Sequence, residues 1–232
     1  MDVAKSVFNW SGGKDSCLAL HHVLLNKHFD VRYLLTTVNQ VYNRVSMHGV
    51  RESLLIQQAH SIGIPLYQVR LPELPDMATY EREMDKHLTL LKAEGVTHAI
   101  FGDLFLADLK AYRETKLAEI GLIADFPLWK RDTKEVLKEF LSLGYKTIVV
   151  CAQQGLEEFC GRIIDEHFID DLPPGIDPCG ENGEFHTFVF DGPLFKKPID
   201  FSLGEKIYKT FPSPAGETTQ GYWYIDLIEP AS

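Results

Sequence analysis

Strand-like and helix-like segments alternate five times through residues 1–144, and that rhythm limits the fold more sharply than any other feature of the chain. Ser6-Val7-Phe8-Asn9-Trp10 reads as a short buried strand closing on a glycine pair, after which Cys17, Leu18, Leu20, His21, Leu24 and Leu25 share one helical face. Val31 to Val38 is a second strand, rich in β-branched and aromatic residues, and the amphipathic run Val50–Ile62 stops at Gly63. Leu66–Val69 is a third strand, Tyr80–Lys92 a helix, and His98–Phe101 a fourth strand closing on Gly102-Asp103. A helix over Asp108–Ile120, a strand over Ala124–Trp129 and a helix capped by Asp132 with Glu135 complete the series. This order predicts an α/β fold, a parallel sheet with helices on both faces. Near Tyr145 the rhythm changes: strands are expected at Lys146–Cys151, Phe185–Phe190 and Tyr222–Ile228, around a Pro- and Gly-rich loop at 170–183. The chain therefore divides into residues 1–144 and a smaller α+β domain, 145–232.

At 232 residues and 45% hydrophobic, the chain can bury a core without disulfides. Its net charge of −10 repels phosphate backbones and anionic bilayers, so nucleic acid is disfavoured as a partner. No apolar run reaches the roughly 18 residues a membrane span needs. The N-terminus has no basic, apolar and cleavage regions of a signal peptide. Cys17, Cys151, Cys160 and Cys179 form no C-x-x-C pair, against a zinc ribbon or iron–sulfur site. A cytoplasmic protein with reduced thiols is the expectation.

Ser11-Gly12-Gly13-Lys14-Asp15-Ser16 stands where the first strand meets the first helix. Two glycines let the backbone turn tightly and bring N–H groups against a ligand. The helix N-terminus adds unpaired donors and a positive dipole end, which suits phosphate. Ser11 and Ser16 can donate hydroxyls, and Lys14 can offset charge. The loop is not a Walker A loop, because Asp15 stands where that motif needs Ser or Thr, and it is not G-x-G-x-x-G. A plain strand-to-helix turn is the competing explanation.

A second cluster runs from Gly175 to Thr187, where turns at Gly180 and Gly183 present Glu181, Glu184 and His186. Two carboxylates and an imidazole can bind an amine, hold a proton or ligate a metal; a solvated turn before a strand explains them equally well. His48 follows the loop after the second strand, and Asn39 ends that strand, each facing a nucleotide or simply closing a turn. Asp103 either helps position Mg²⁺ or caps a helix, and Arg113 either clamps an anion or lies on a solvated face.

S-G-G-x-D-S after a first strand resembles the pyrophosphate loop of the N-type ATP pyrophosphatases, the adenylate-forming branch of the HUP superfamily. The resemblance implies that the loop holds the β- and γ-phosphates of ATP while a substrate oxygen attacks the α-phosphate. It also implies a HUP-like five-stranded parallel sheet of order 3-2-1-4-5, with strands one and four flanking the ligand-binding switch point. Paired with Gly180-Glu181-Asn182-Gly183-Glu184, the loop is similar to that of the diphthine–ammonia ligase family, whose motif is G-E-x-G-E. Ser46-Met47-His48-Gly49-Val50, Gly102-Asp103 and Tyr112-Arg113-Glu114 fall where that family carries further motifs. Its diphthine ligases read closer to G-E-G-G-E-Y-E. The G-E-N-G-E-F-H-T found here resembles a bacterial subgroup linked to a different amide-forming role, in corrinoid salvage.

That family implies a ligase that adenylates a carboxylate and transfers ammonia, with ATP and Mg²⁺. The implied ATP-binding set is Ser11, Gly12, Gly13, Lys14, Asp15, Ser16, Asn39, His48 and Gly102, with Asp15 and Asp103 on magnesium. Lys14, Asp15, Glu181, Glu184 and His186 are the catalytic candidates; Arg113, Glu181, Glu184 and His186 line the acceptor side. The acceptor is a small-molecule or protein-borne carboxylate, and a homodimer is compatible with the family. No glutaminase segment fits and residue 2 is Asp, so free ammonia or a separate partner supplies nitrogen. Two rival readings stay open, a tRNA-modifying adenylating enzyme and a non-catalytic nucleotide sensor. Because an acyl-adenylate hydrolyses readily, residues 175–187 are expected to fold over the nucleotide crevice and exclude water.

Overall fold

The computed structural model describes residues 3–46, 48–212 and 219–230. The chain runs β1 (Ala4–Asn9), α1 (Lys14–Asn26), β2 (Phe29–Asn39), β3 (Arg44–Val45), α2 (Glu52–Ile62), β4 (Leu66–Leu71), α3 (Met77–Ala93), β5 (His98–Ile100), α4 (Ala107–Glu119), β6 (Ile123–Asp125) and α5 (Thr133–Ser142). β7 (Lys146–Gln153), the single turn α6 (Phe168–Asp171), β8 (Phe185–Asp191), β9 (Ser202–Pro212) and β10 (Thr219–Ile228) follow.

Five parallel strands lie in the order β4-β2-β1-β5-β6, and the two-residue β3 pairs antiparallel with the end of β2. This is the HUP-like order that the family resemblance implies. β1 pairs with β2 as far as Asn9↔Leu35, and β3 takes over at Val38↔Val45. Between the two ladders Thr36 and Thr37 leave a gap bridged by the Ser46 N–H, which donates to the Thr37 carbonyl at 3.2 Å, at the carboxyl end of the sheet.

The last parallel strand is shorter than its sequence suggests. Pro127 has no N–H to give a ladder, so β6 ends at Asp125 and a turn carries the chain through Lys130, whose φ is 62°. The N-cap expected at Asp132 is present, accepting from the Glu135 N–H at 3.1 Å.

A second, antiparallel sheet has the order β8-β7-β10-β9. β9 has no counterpart among the expected strands. Its Glu205, Lys206 and Lys209 weaken the apolar alternation, as suits a charged edge strand. One buried cluster joins Phe8, Leu18, Leu54 and Val136 to Ile148, Phe185, Phe188 and Leu227, so the second sheet shares a core with α1, α2 and α5. A separate cluster of Val7, Leu35, Leu88, Leu91 and Leu117 fastens α3 and α4 to the opposite face. The crevice between these layers opens at the ends of β1, β2 and β5. No described helix is long and apolar enough to cross a membrane, and the four cysteines are free and buried.

Candidate functional site

A cavity of about 570 Å³ occupies that crevice, within the usual range for a small-molecule site. Ser11, Gly13, Lys14, Asp15, Ser16, His48, Gly102, Asp103, Arg113, Glu181 and His186 all line it. The sheet order brings β1 and β5 side by side, so their following loops meet there. Gly102 is required by that approach, since a Cβ on it would stand 2.9 Å from the Ser16 backbone N and Cα. Gly12 turns at φ 80°, and its carbonyl accepts from the Val189 N–H at 2.9 Å. Gly12 braces the loop from behind and does not line the cavity.

Lys14 is 3% exposed and joins both candidate motifs. Its ammonium donates to the Asp15 carboxylate at 2.8 Å and to the Cys179 carbonyl, and lies 5.3 Å from the Phe185 ring centre. Its backbone N–H donates to the Thr187 hydroxyl at 3.0 Å. Burial works to lower its pKa, but Asp15, through its charge and its hydrogen bond, together with Cys179 and Glu181, outweighs this, and the net shift is upward, keeping Lys14 cationic. Gly180, Glu181, Asn182 and Gly183 form the opposing wall. The loop expected to cover the crevice does so.

Glu181 accepts from the Leu104 N–H at 2.7 Å. Burial, aided by Asp15 and Asp103, raises its pKa to about 7. Asp103 is also pushed up by burial, although Arg113 donates to it and opposes the shift. The guanidinium of Arg113 rests 4.3 Å from the Phe101 ring centre. His48 and His186 lie against each other with ring centres 4.5 Å apart and planes tilted by 31°. Burial lowers His48 to about 4 and His186 well below its ordinary value, so both rings are neutral at pH 7.

Two candidates do other work. Glu184 does not line the cavity; its carboxylate accepts from the N–H groups of Asp177 and Asn182 and from the Asn182 amide, at 3.0–3.1 Å. It clamps the turn that presents Glu181. Asn39 is half-buried and does not line the cavity; it accepts from the Val41 and Tyr42 N–H groups and donates to the Glu73 carbonyl, closing the turn after β2. Met47 lies outside the described residues.

For magnesium, Asp15 Oδ1 is buried without a hydrogen-bond partner, an acceptor left over beside the phosphate loop. Among the described residues no three His, Cys, Asp or Glu side chains converge on a metal position. The donor set fits an ion held by one or two carboxylates and completed by phosphate oxygens.

Sequence reasoning missed Gln58 and Thr187. Gln58 is fully buried, accepts from the Trp10 indole at 2.9 Å, and donates to the carbonyls of Gly12 at 3.1 Å and Val189 at 2.6 Å. It ties the phosphate loop to β8. A lone Gln on an amphipathic helix gives no signal, whereas Thr187 lies within the 175–187 cluster, where the charged side chains give the stronger one.

Sequence models of the diphthamide synthase N-terminal and C-terminal domains match residues 4–123 and 132–216. The chain is 28% identical to the diphthine–ammonia ligase of Homo sapiens over 225 residues, covering 85% of this chain and 82% of that protein. The Bos taurus enzyme of the same name gives the same identity and coverage. The Schizosaccharomyces pombe diphthine–ammonia ligase is 24% identical over 209 residues, 82% of this chain but 34% of the longer fungal protein.

Proposed function

Because the chain belongs to the diphthamide synthase family, we propose that it is an ATP-dependent ligase that converts a carboxylic acid to an amide with release of AMP and pyrophosphate. The observation that carries this reading is Lys14, which touches the phosphate loop through Asp15 and the acceptor wall through Cys179 and Thr187. Adenylation is the chemistry that needs both, because a carboxylate oxygen is a poor leaving group and AMP a good one.

In this reading Ser11, Gly13, Lys14 and Ser16 bind the departing pyrophosphate, donating hydrogen bonds where negative charge grows. The adenosine lies toward Thr36, Thr37, Val45 and Ser46, where the gap in the β2 edge meets the cavity. Asp15 and Asp103 are the residues suited to hold Mg²⁺, which when bound neutralises triphosphate charge. Glu181, titrating near 7, accepts a proton as ammonia adds to the acyl-adenylate. Neutral His48 and His186 form a wall that can hydrogen-bond without adding charge. Residues 1–144 serve the nucleotide and 145–232 the acceptor side. Ammonia is the nitrogen donor.

Product analysis tests the reading. With ATP, Mg²⁺, ammonium and a panel of acids, acid-dependent AMP and pyrophosphate are expected in equal amounts. Stoichiometric ADP would overturn adenylation.

A further inference from the structure

We propose that Gln58 of α2 is a positioning residue for nucleotide binding, its side-chain amide locking the Gly12–Gly13 peptide so that the Gly13 N–H faces the β- and γ-phosphates of ATP. The inference deepens the ligase reading and rests on its phosphate loop.

The glycine pair turns the loop at φ 80° for Gly12 and −88° for Gly13. The same freedom leaves the peptide between them easy to flip. A trans peptide is planar, so its carbonyl and its N–H point in opposite directions. Turned one way, it offers the cavity a donor. Turned the other way, it offers a carbonyl oxygen that repels phosphate. Within the loop the Gly13 N–H reaches the Ser11 hydroxyl only at 3.2 Å, a long and weak hold.

The stronger hold comes from outside the loop. The Gly12 carbonyl accepts from the Val189 N–H at 2.9 Å and from Gln58 Nε2 at 3.1 Å. The same Nε2 also donates to the Val189 carbonyl at 2.6 Å, and Oε1 accepts from the Trp10 indole at 2.9 Å. With both hydrogens and the oxygen committed, one orientation of the amide satisfies all three partners. The Gly12 carbonyl is thereby kept behind the loop and the Gly13 N–H in front. Ser11 and Gly13 line the cavity and Gly12 does not. The fit is close, since a Cβ on Gly12 would stand 2.8 Å from Gln58 Oε1.

Packing gives no reason for a glutamine here. Its neighbours on α2, Leu54, Leu55 and Ala59, are buried apolar residues, and Gln58 is itself fully buried. An amide in such a place is costly unless it is fully bonded, whereas an apolar side chain of like size would fill the space without that cost. What the amide adds is the hold on Gly12 and Val189.

The test is calorimetric titration of AMP and of the magnesium complex of α,β-methylene-ATP into the parent and Gln58→Met. Methionine keeps the length and the packing and removes both donors. Affinity for the triphosphate analogue should fall about 10-fold, the worth of a hydrogen bond to a charged group. Affinity for AMP, which lacks the phosphates that Gly13 meets, should not change; a merely structural role would lower both. Equal analogue affinity in the two proteins, or equal losses for the two ligands, would overturn the proposal. A second measurement needs no variant. In the nitrogen-15 spectrum of the parent, the Gly13 amide proton should move downfield as magnesium pyrophosphate saturates the site, because bonding to an anion deshields it. A Gly13 resonance unmoved at saturation overturns the proposal too. Failure of the readings is separable. A parent that binds no analogue removes the phosphate-loop assignment and the bracket with it, and a parent that binds while Gln58→Met binds equally removes the bracket alone. ADP in place of AMP among the products removes the ligase and leaves the bracket standing.

Discussion

Lys14 holds two pieces of the second sheet's connections at once, Thr187 through its backbone N–H and the Cys179 carbonyl through its ammonium. Lys14→Ala removes a charge-assisted contact to phosphate, for which about 2 kcal/mol is typical. ATP affinity measured by titration should fall roughly 10- to 100-fold while circular dichroism stays that of the parent. Thr187 supports the same residue from behind. Thr187→Val leaves the Lys14 N–H without its acceptor and should raise KM for ATP, whereas Thr187→Ser keeps the hydroxyl and should restore it. Unequal behaviour of these two variants is the sign of a positioning role. Glu181 supplies a pH prediction. Its pKa is raised to about 7, so it is protonated below that value and able to accept a proton above it. The ammonia-dependent step should therefore gain rate through pH 7, and Glu181→Gln should lose that limb while ATP binding persists.

Among the elements, the junction of β5 with α1 is the least forgiving. Gly102→Ala would push a methyl against backbone atoms of Ser16 that no rotamer change can move. A cost of about 1–3 kcal/mol in urea unfolding is expected, with weaker ATP binding because the displaced atoms belong to the phosphate loop. The β1–α1 junction was legible in the sequence because strand, glycine pair and helix each leave a strong local mark. So were the α2 stop at Gly63, whose φ is 89°, and the Asp132 cap. β9 was not, since its pairing with β10 compensates for weak local preference. β6 is shorter than its sequence suggests because Phe126 and Trp129, though typical strand residues, pack in a turn with ring centres 5.8 Å apart.

At the scale of the whole molecule, Asp226 of β10 fastens the second sheet to the first through Arg44 at 2.9 Å and Arg51 at 2.6 Å. The hydrogen bonds from Arg51 and Arg44 outweigh burial and hold its carboxyl at about 2, below the usual 3.8. A depressed carboxylate contributes stability above its unfolded pKa and loses it as pH falls through the folded one. The loss should thus occur between about pH 4 and pH 2, and after solvent screening amount to about 1 kcal/mol. Urea midpoints of Asp226→Asn should be lower at neutral pH and converge on the parent near pH 2. Such long-range ties explain why the motifs of the site were legible and its internal bracing was not. Gln58 and Glu184 matter through partners far off or turned inward, which periodicity does not register. The buried thiols carry one more consequence. Cys179 lines the cavity beside Lys14 and is 2% exposed, with burial raising its pKa. An alkylating reagent can reach it only when that wall swings away, so its modification half-life becomes a stopwatch for opening. Nucleotide should slow the stopwatch at Cys179 and leave Cys160, remote from the cavity, ticking at its own pace.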